Sequence, residues 1–209
     1  MNASTGDAST GSNGARTAEI RRETKETTID VVLDVDGTGR ADIATGIGFL
    51  DHMLDSLARH SRFDLKVRAT GDLHIDAHHT AEDVAIVLGQ ALDQALGDKR
   101  GLRRFADATC PLDEALSQVV LDLSGRGFAA VDLPFRGERI GTLPTEMIPH
   151  FLKSFAVEGR LTLHVRLLAG ENDHHRAEAT FKALARCLEL ATRIDPRIAT
   201  LVPSTKGSL

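Results

Sequence analysis

The chain has 209 residues, a formal net charge of −5, and 30 acidic side chains interspersed with 25 basic ones. Trp and Tyr are absent and Phe occurs only 8 times, so neither a basic stretch nor an aromatic platform indicates a nucleic-acid partner. No apolar run approaches the roughly 18 residues that a membrane span requires. The only cysteines, Cys110 and Cys187, lack metal or redox spacing and predict buried thiols in a reducing compartment. We therefore expect a cytoplasmic protein without a nucleic-acid or membrane partner.

Four segments are expected along the chain. Residues 1–17 are rich in Ser, Thr, Gly, Asn and Ala and cannot bury much apolar surface, so they predict a flexible tail. Two repeat halves follow, at 18–103 and 104–200, and together they are long enough to bury a core. Residues 201–209 form a short C-terminal tail.

The first half begins with an alternating strand from Thr27. A helix is predicted at about 48–60 from its apolar spacing. Strands are predicted at 65–69 and 72–75, on either side of a glycine. A long helix then runs from about residue 78 to 96, ending before a glycine.

The second half repeats this order. Strands are predicted at about 117–124 and 128–133, followed by a helix at about 146–156, a strand at 161–167 and a helix at about 174–193. The repeat is therefore β-β-α-β-β-α, present twice. We expect an α+β fold in which the helices are sandwiched between two mixed sheets, because that arrangement buries both apolar faces.

A duplicated histidine pattern is the main indication of chemistry. In each half, two consecutive histidines are followed three residues later by a glutamate, and a further histidine lies upstream at nearly the same separation. Imidazole and carboxylate groups are the ligands that borderline divalent metals prefer. The candidate metal ligands are His52, His78, His79, Glu82, His150, His174, His175 and Glu178.

Helix geometry limits how these ligands can be shared. Successive side chains on a helix lie about 100° apart, so two adjacent histidines cannot hold one ion together. The simplest arrangement has two ions, each with a His/Glu pair from one motif, the odd histidine from the other motif, and either His52 or His150. The halves could meet within one chain or across a subunit boundary. A competing interpretation is that each His-His pair, which follows Asp76 or Asp173, belongs to a helix cap.

Five segments carry a resemblance to a known family. They are Gly46–Leu54, Gly71–Asp83, Ser124–Phe128, Asn172–Glu178 and Pro203–Gly207. In this order they resemble imidazoleglycerol-phosphate dehydratases of histidine biosynthesis, over nearly everything from Ala18 to Leu209. Two departures are His74, where an aromatic residue is expected, and Gly127, where proline is common. No phosphatase domain precedes residue 18, so we expect the monofunctional form.

The resemblance implies dehydration of D-erythro-imidazole-glycerol phosphate to imidazole-acetol phosphate. It implies two Mn²⁺ ions per active site, held by the eight His and Glu residues, with the substrate imidazolate binding to both ions. It further implies a fold like that of domain 2 of ribosomal protein S5. The assembly would contain roughly 24 subunits in cubic symmetry, with active sites at subunit interfaces.

The remaining site residues also follow from the resemblance. Glu26 would be the general base, because the duplicated glutamates are occupied as metal ligands, and His52 would also contact the substrate. The substrate phosphate requires cations and hydrogen-bond donors. The residues expected to bind it are Arg104, Arg126, Ser204, Thr205 and Lys206. Asp113 and Glu114 are interpreted instead as a helix N-cap and a first-turn charge.

Two other functions remain open at this point. A dinuclear metallohydrolase would usually have more carboxylates and fewer imidazoles, and it would leave the phosphate-binding tail unexplained. A non-catalytic, metal-stapled assembly would need the His/Glu set but not Glu26, Arg104, Arg126 or Lys206.

Overall fold

The computed structural model describes residues 15–209, which form two similar halves. The elements of the first half are β1 (Thr17–Glu23), β2 (Thr27–Asp34), β3 (Ala41–Ala44), α1 (Gly48–Ser61), β4 (Asp64–Gly71) and α2 (His78–Leu96). The elements of the second half are β5 (Phe105–Leu112), β6 (Ala115–Asp122), β7 (Phe128–Asp132), β8 (Arg139–Ile140), β9 (Leu143–Pro144), α3 (Met147–Glu158), β10 (Thr162–Ala169) and α4 (Asp173–Ala191). A short 3₁₀ helix, Pro196–Ile198, precedes the C-terminal tail.

The two four-stranded sheets have the same topology. The strand orders are β1-β2-β4-β3 and β5-β6-β10-β7, and in each sheet the last pair is parallel while the others are antiparallel. The alternation of apolar and polar side chains along the strands sets the register, because it keeps the apolar residues on the core face. In the first sheet Val31 lies opposite Val67, and in the second Val119 lies opposite Val165. A small β8–β9 hairpin is inserted before α3 of the second half. The predicted α+β class is confirmed.

The order of elements within each half differs from the prediction. Each half is β-β-β-α-β-α, apart from the β8–β9 hairpin of the second half. In the first half, residues 72–75 form a turn and not a strand, closed by the Ile75 N–H donating to the Asp72 carbonyl (2.8 Å). β4 is already paired with β2 on one side and β3 on the other, so no sheet edge is left for an additional strand there. The alternating Leu73 and Ile75 are exposed instead.

Three strands at sheet edges were not predicted. β1, β3 and β5 each pair with one neighbour only, and they lack a clear apolar–polar alternation, since β1 has Arg22 at an inward position and β5 has Phe105 exposed. Of the predicted 1–17 tail, residues 1–14 lie outside the described part of the chain. Arg16 is held by Asp36 and the Thr192 carbonyl, and β1 begins at Thr17, so residues 16 and 17 belong to the fold and not to a tail.

The core lies between the sheets. α2 packs on β1 and β2, α4 packs on β5 and β6, and the helices meet as two pairs, α1 with α4 and α2 with α3. The α2–α3 contact is close at Gly89, where a Cβ would come within 2.7 Å of the Phe155 carbonyl oxygen. Each helix pair therefore joins the first half to the second. Within residues 15–209, none of the helices has the length and apolarity to cross a membrane.

Candidate metal centre

The first cluster, which we call the first triad, consists of His52, His174 and Glu178. The Glu178 Oε2 lies 3.1 Å from the Nε2 of His52 and 3.1 Å from the Nε2 of His174. His52 comes from α1, whereas the other two residues lie one turn apart on α4. Burial acts to raise the pKa of Glu178, but hydrogen bonds from Lys182, His52 and His174 lower it to about 2. The carboxylate is therefore ionised and available as a ligand.

The second triad consists of His78, Glu82 and His150. The Glu82 Oε1 lies 2.8 Å from the Nε2 of His150, and its Oε2 lies 4.0 Å from the Nε2 of His78. His78 and Glu82 belong to α2, and His150 belongs to α3. Both triads thus take a His/Glu pair from one half and a single histidine from the other half.

Hydrogen bonds to backbone N–H groups position both pairs, although only α4 has a side-chain N-cap and the N-cap residue of α2 is Ala77. The Asn172 side chain accepts hydrogen bonds from the backbone N–H groups of His174 and His175, and Asp76 accepts one from the N–H of His78. The cap interpretation is therefore corrected at α4, where Asn172 and not Asp173 is the cap residue, and neither contact uses the imidazoles. These side chains are left free to meet the glutamates.

The geometry of both triads suits a divalent cation. In each triad, one ligand atom per residue can be chosen so that all three lie within 4.8 Å of one another. Two ligand atoms about 2.1 Å from one ion and at right angles lie about 3 Å apart, which is the separation of the closest pairs here. Mixed imidazole and carboxylate donors match a borderline divalent metal. His52 and His174 are nearly half exposed, so the first triad faces the surface.

The remaining two histidines, His79 and His175, do not join either triad in this chain. The Nδ1 of His79 lies 2.9 Å from the Asp72 carboxylate, and the Nδ1 of His175 lies 2.7 Å from the Glu114 carboxylate. These hydrogen bonds raise the pKa of both imidazoles. The odd histidine that the sequence assigns to each ion is therefore absent from the triads of one chain.

Glu114 corrects a sequence-based expectation. It does not belong to a helix N-terminus but to the turn between β5 and β6. Its carboxylate accepts hydrogen bonds from the backbone N–H groups of Asn172 and Glu171 and from His175, which lower its pKa to about 2. Asp113 occupies the same turn with a φ of 47°. The internal repeat could have identified Glu114 from the sequence, since Glu26 occupies the equivalent position in the β1–β2 turn of the first half.

Glu26 lies close to the histidine motif of the first half. Its Oε2 is 3.9 Å from the His79 Nδ1, and its side chain is 56% exposed. Its backbone N–H donates to the Thr24 hydroxyl, which fixes the turn. Among the described residues, no hydrogen bond to its carboxylate is formed, so this oxygen pair faces solvent beside His79.

The C-terminal tail forms a second candidate site, which we call the basic pocket. It is a cavity of about 250 Å³. The predicted phosphate-binding residues that line it are Arg104, Arg126, Ser204, Thr205 and Lys206. Arg104 also binds Asp122 through Nε and donates to the Pro203 carbonyl (2.7 Å), so this side chain ties the tail to β6. Three cations and two hydroxyls are thus brought together, as an anion site requires.

The basic pocket lies far from the first triad of the same chain. α4 has 19 residues and is therefore about 28 Å long at a rise of about 1.5 Å per residue. The triad residues His174 and Glu178 lie in its first turns, whereas the Arg104 N–H donates to the carbonyl of Ala191, the last residue of the helix. One chain thus holds its triad and its basic pocket at opposite ends of α4.

Comparison with known proteins identifies a consistent set of relatives. The sequence model of imidazoleglycerol-phosphate dehydratase matches residues 45–188. The chain is 59% identical over 194 residues to the imidazoleglycerol-phosphate dehydratase of Roseiflexus sp. (strain RS-1), covering 93% of this chain and 98% of that one. It is 58% identical to the enzyme of Granulibacter bethesdensis, with 93% and 99% covered.

Solved structures agree with the sequence relatives. The crystal structure of imidazoleglycerol-phosphate dehydratase from Staphylococcus aureus subsp. aureus N315 is similar at a TM-score of 0.78 and 35% identity, covering 86% of this chain and 99% of that one. The Pyrococcus furiosus enzyme in complex with (S)-C348 is similar at a TM-score of 0.78 and 36% identity, covering 91% and 100%. The likeness extends over both halves of the fold.

Proposed function

Because the chain belongs to the imidazoleglycerol-phosphate dehydratase family, a family of hydro-lyases of histidine biosynthesis, we propose that it dehydrates D-erythro-imidazole-glycerol phosphate to imidazole-acetol phosphate at two Mn²⁺ ions. The observation that carries this proposal is the pair of matched His/Glu triads. Family membership favours this reaction over the metallohydrolase and over the non-catalytic assembly. The free thiols of Cys110 and Cys187 support a cytoplasmic location.

We assign one ion to each triad. His52, His174 and Glu178 would hold the first, and His78, Glu82 and His150 the second. We further assign His79 and His175 as ligands that reach an ion through Nε2, because their Nδ1 atoms are already hydrogen-bonded. Imidazole and carboxylate ligands with positions left for substrate suit Mn²⁺ better than a closed tetrahedral Zn²⁺ site.

The ions, when bound, would act as Lewis acids on the substrate. The product has its ketone on the second carbon of the chain, so the hydroxyl must leave the carbon attached to the ring and the proton must leave the next carbon. Glu26 is proposed to accept that proton, since its carboxylate is solvent-facing and close to His79. Its Oε2 would take the proton from carbon, the hydroxyl would leave with the C–O electron pair and be protonated to water by the same carboxylic acid, and the resulting enol would tautomerise to the ketone. His52 would contact the same substrate ring.

The phosphate is proposed to bind in the basic pocket of another subunit. A three-carbon substrate that joins an imidazole to a phosphate spans no more than about 10 Å at bond lengths near 1.5 Å. Glu178 and His174 lie 13 and 17 residues before Ala191 on α4, so at a rise of about 1.5 Å per residue the first triad and the basic pocket of one chain are roughly 20–25 Å apart, about twice that span. A single chain cannot therefore bind both ends of the substrate with these two sites. This supports active sites at subunit interfaces, and the proposed assembly of roughly 24 subunits follows from the family resemblance alone.

The test is direct turnover. Purified protein, stripped with EDTA and reloaded with Mn²⁺, should convert imidazole-glycerol phosphate to an enolisable ketone that absorbs in alkali. The stripped protein and a His174→Ala variant should be inactive, whereas His164→Ala, an exposed histidine on β10, should retain activity. A fully metal-loaded, assembled protein that leaves the substrate intact would overturn the proposal.

A further inference from the structure

The two halves carry a glutamate in the same hairpin turn. Glu26 directly precedes β2, and Glu114 directly precedes β6. β2 and β6 occupy the same position in sheets of identical strand order. Each glutamate also lies beside the odd histidine of its own half, His79 or His175. The two glutamates are therefore structural counterparts, yet they make different contacts.

Glu114 is fully engaged. Its Oε1 accepts the backbone N–H groups of Glu171 (3.0 Å) and Asn172 (2.8 Å), and its Oε2 accepts the Nδ1–H of His175 (2.7 Å). An ionised carboxylate can only accept, so this contact places the His175 proton on Nδ1. The lone pair of that imidazole is consequently on Nε2, across the ring, where it can bind a metal.

In the first half, a different carboxylate takes this position. Asp72 accepts the Nδ1–H of His79 at 2.9 Å, while the nearest Glu26 oxygen is 3.9 Å away. Asp72 follows Gly71, which packs against Thr80, just as Glu171 follows Gly170, which packs against Arg176. Thr80 and Arg176 are the third residues of their His-His motifs, so the two segments correspond. The inserted turn of residues 72–75 brings Asp72 to His79 in the first half only.

We propose that the counterpart glutamates have divided roles: Glu114 and Asp72 are positioning residues that fix His175 and His79 with Nε2 free for a metal, and Asp72 thereby releases Glu26 to act on substrate. This inference rests on the proposed function for the role of Glu26. The positioning of the two histidines does not depend on the reaction. Only the first-half turn would then supply a base, although both halves contain the glutamate.

Metal affinity tests the positioning roles without any turnover. The variants Asp72→Ala, Asp72→Asn, Glu114→Ala and Glu26→Gln would be titrated with Mn²⁺, and free Mn²⁺ would be followed by electron paramagnetic resonance. Loss of a carboxylate that orients a metal-binding histidine typically lowers the affinity for the metal ion by about 10–100-fold. We expect that loss at one of the two ions for Asp72→Ala and for Glu114→Ala. Glu26→Gln should bind both ions like the wild type.

Asp72→Asn serves as the conservative control. The Asp72 Oδ1 is buried without a hydrogen-bond partner among the described residues, so an amide can place its NH₂ there and keep an oxygen on His79. This variant should retain Mn²⁺ affinity within about threefold of wild type. Thermal unfolding of each variant shows whether it is folded. If Glu114→Ala is unstable because its two backbone contacts are lost, the Asp72 pair of variants still decides the result.

Turnover at saturating Mn²⁺ tests the release of Glu26. In Asp72→Ala, Glu26 is the nearest remaining carboxylate to the His79 Nδ1 and should bind it, so turnover per bound ion should fall at least about tenfold. Wild-type metal affinity in both alanine variants would overturn the positioning roles, even with an active wild-type enzyme. If the wild type is inactive but these variants bind Mn²⁺ more weakly than it does, only the proposed function is contradicted.

Discussion

The Nε2 of His52 lies 3.1 Å from the Oε2 of Glu178, although the two residues are 126 positions apart. The reverse pair, His150 and Glu82, is 2.8 Å apart. α1 of the first half thus contributes a histidine to the triad on α4 of the second half, and α3 of the second half contributes one to the triad on α2 of the first. Neither half contains a complete triad by itself. Formation of the metal centre therefore requires that both halves pack correctly.

Removing one triad histidine should remove one ion. His78→Ala deletes a ligand of the second triad only, and His174→Ala deletes a ligand of the first triad only. Each assembled variant should therefore retain about one of its two Mn²⁺ ions per chain, because the affected ion loses one of its few protein ligands. Elemental analysis after gel filtration measures this, with His164→Ala as the control. Two full ions in either variant would contradict the assignment of triads to ions.

Substitutions in the basic pocket should weaken substrate binding selectively. Arg126→Ala and Lys206→Ala each remove a cation from the pocket, and a charge-assisted contact of this kind is worth about 1.5–3 kcal/mol. Substrate affinity should fall by about 10–150-fold, while Mn²⁺ content stays unchanged. Arg104 is a poorer test because its loss would also release the tail from Asp122 and Pro203. Unaltered affinity together with lost manganese would exclude both residues from phosphate binding.

Glu26→Gln tests the general base. Glutamine keeps the shape of the side chain but cannot accept the proton, so turnover should fall by about 10²–10⁴-fold. Substrate affinity should stay near normal, and rapid-quench kinetics at saturating substrate would measure the chemical step. If Glu26 only orients a substrate hydroxyl, the amide would still do so. Turnover within about tenfold of wild type would accordingly assign Glu26 to binding alone.

The sequence predicted much of this arrangement, and its omissions have physical causes. The His-His-x-x-Glu spacing predicted the helical pairs His78/Glu82 and His174/Glu178, because i,i+4 contacts are local. It could not decide whether His52 or His150 belongs to a given pair, since that depends on how the helices pack between halves. The separation of the basic pocket from the first triad also depends on tertiary structure. The role of Glu114 was not predicted because its contact with His175 joins residues 61 positions apart and depends on how the β5–β6 turn packs against α4.

Asp64 should make stability depend on pH. Its carboxylate binds Arg40 and accepts the backbone N–H groups of Arg40, Thr38 and Gly39, which together hold its pKa well below the usual 3.8. A depressed folded-state pKa stabilises the fold above the unfolded-state pKa, and this stabilisation is lost as the pH falls below it. Asp64→Asn should thus cost about 1–2 kcal/mol at neutral pH. The difference should shrink below about pH 4.

Urea unfolding of both proteins in chelator measures this effect without a contribution from bound metal. Midpoints would be compared at neutral pH and at several values below pH 4. A gap between wild type and Asp64→Asn that is constant over this range would show that the charge of Asp64 does not stabilise the turn.

Subunit complementation tests most directly the claim that the first triad and the basic pocket of one active site come from different chains. Lys206→Ala and His174→Ala chains would be dissociated with EDTA, mixed in equal amounts and reassembled with Mn²⁺. Assayed with substrate well below the wild-type KM, each variant alone should have little activity, whereas random mixing should give about one quarter of the sites an intact triad and an intact pocket. Recovery of roughly that share of wild-type activity is the predicted result. A mixed assembly no more active than its two parents would contradict the account.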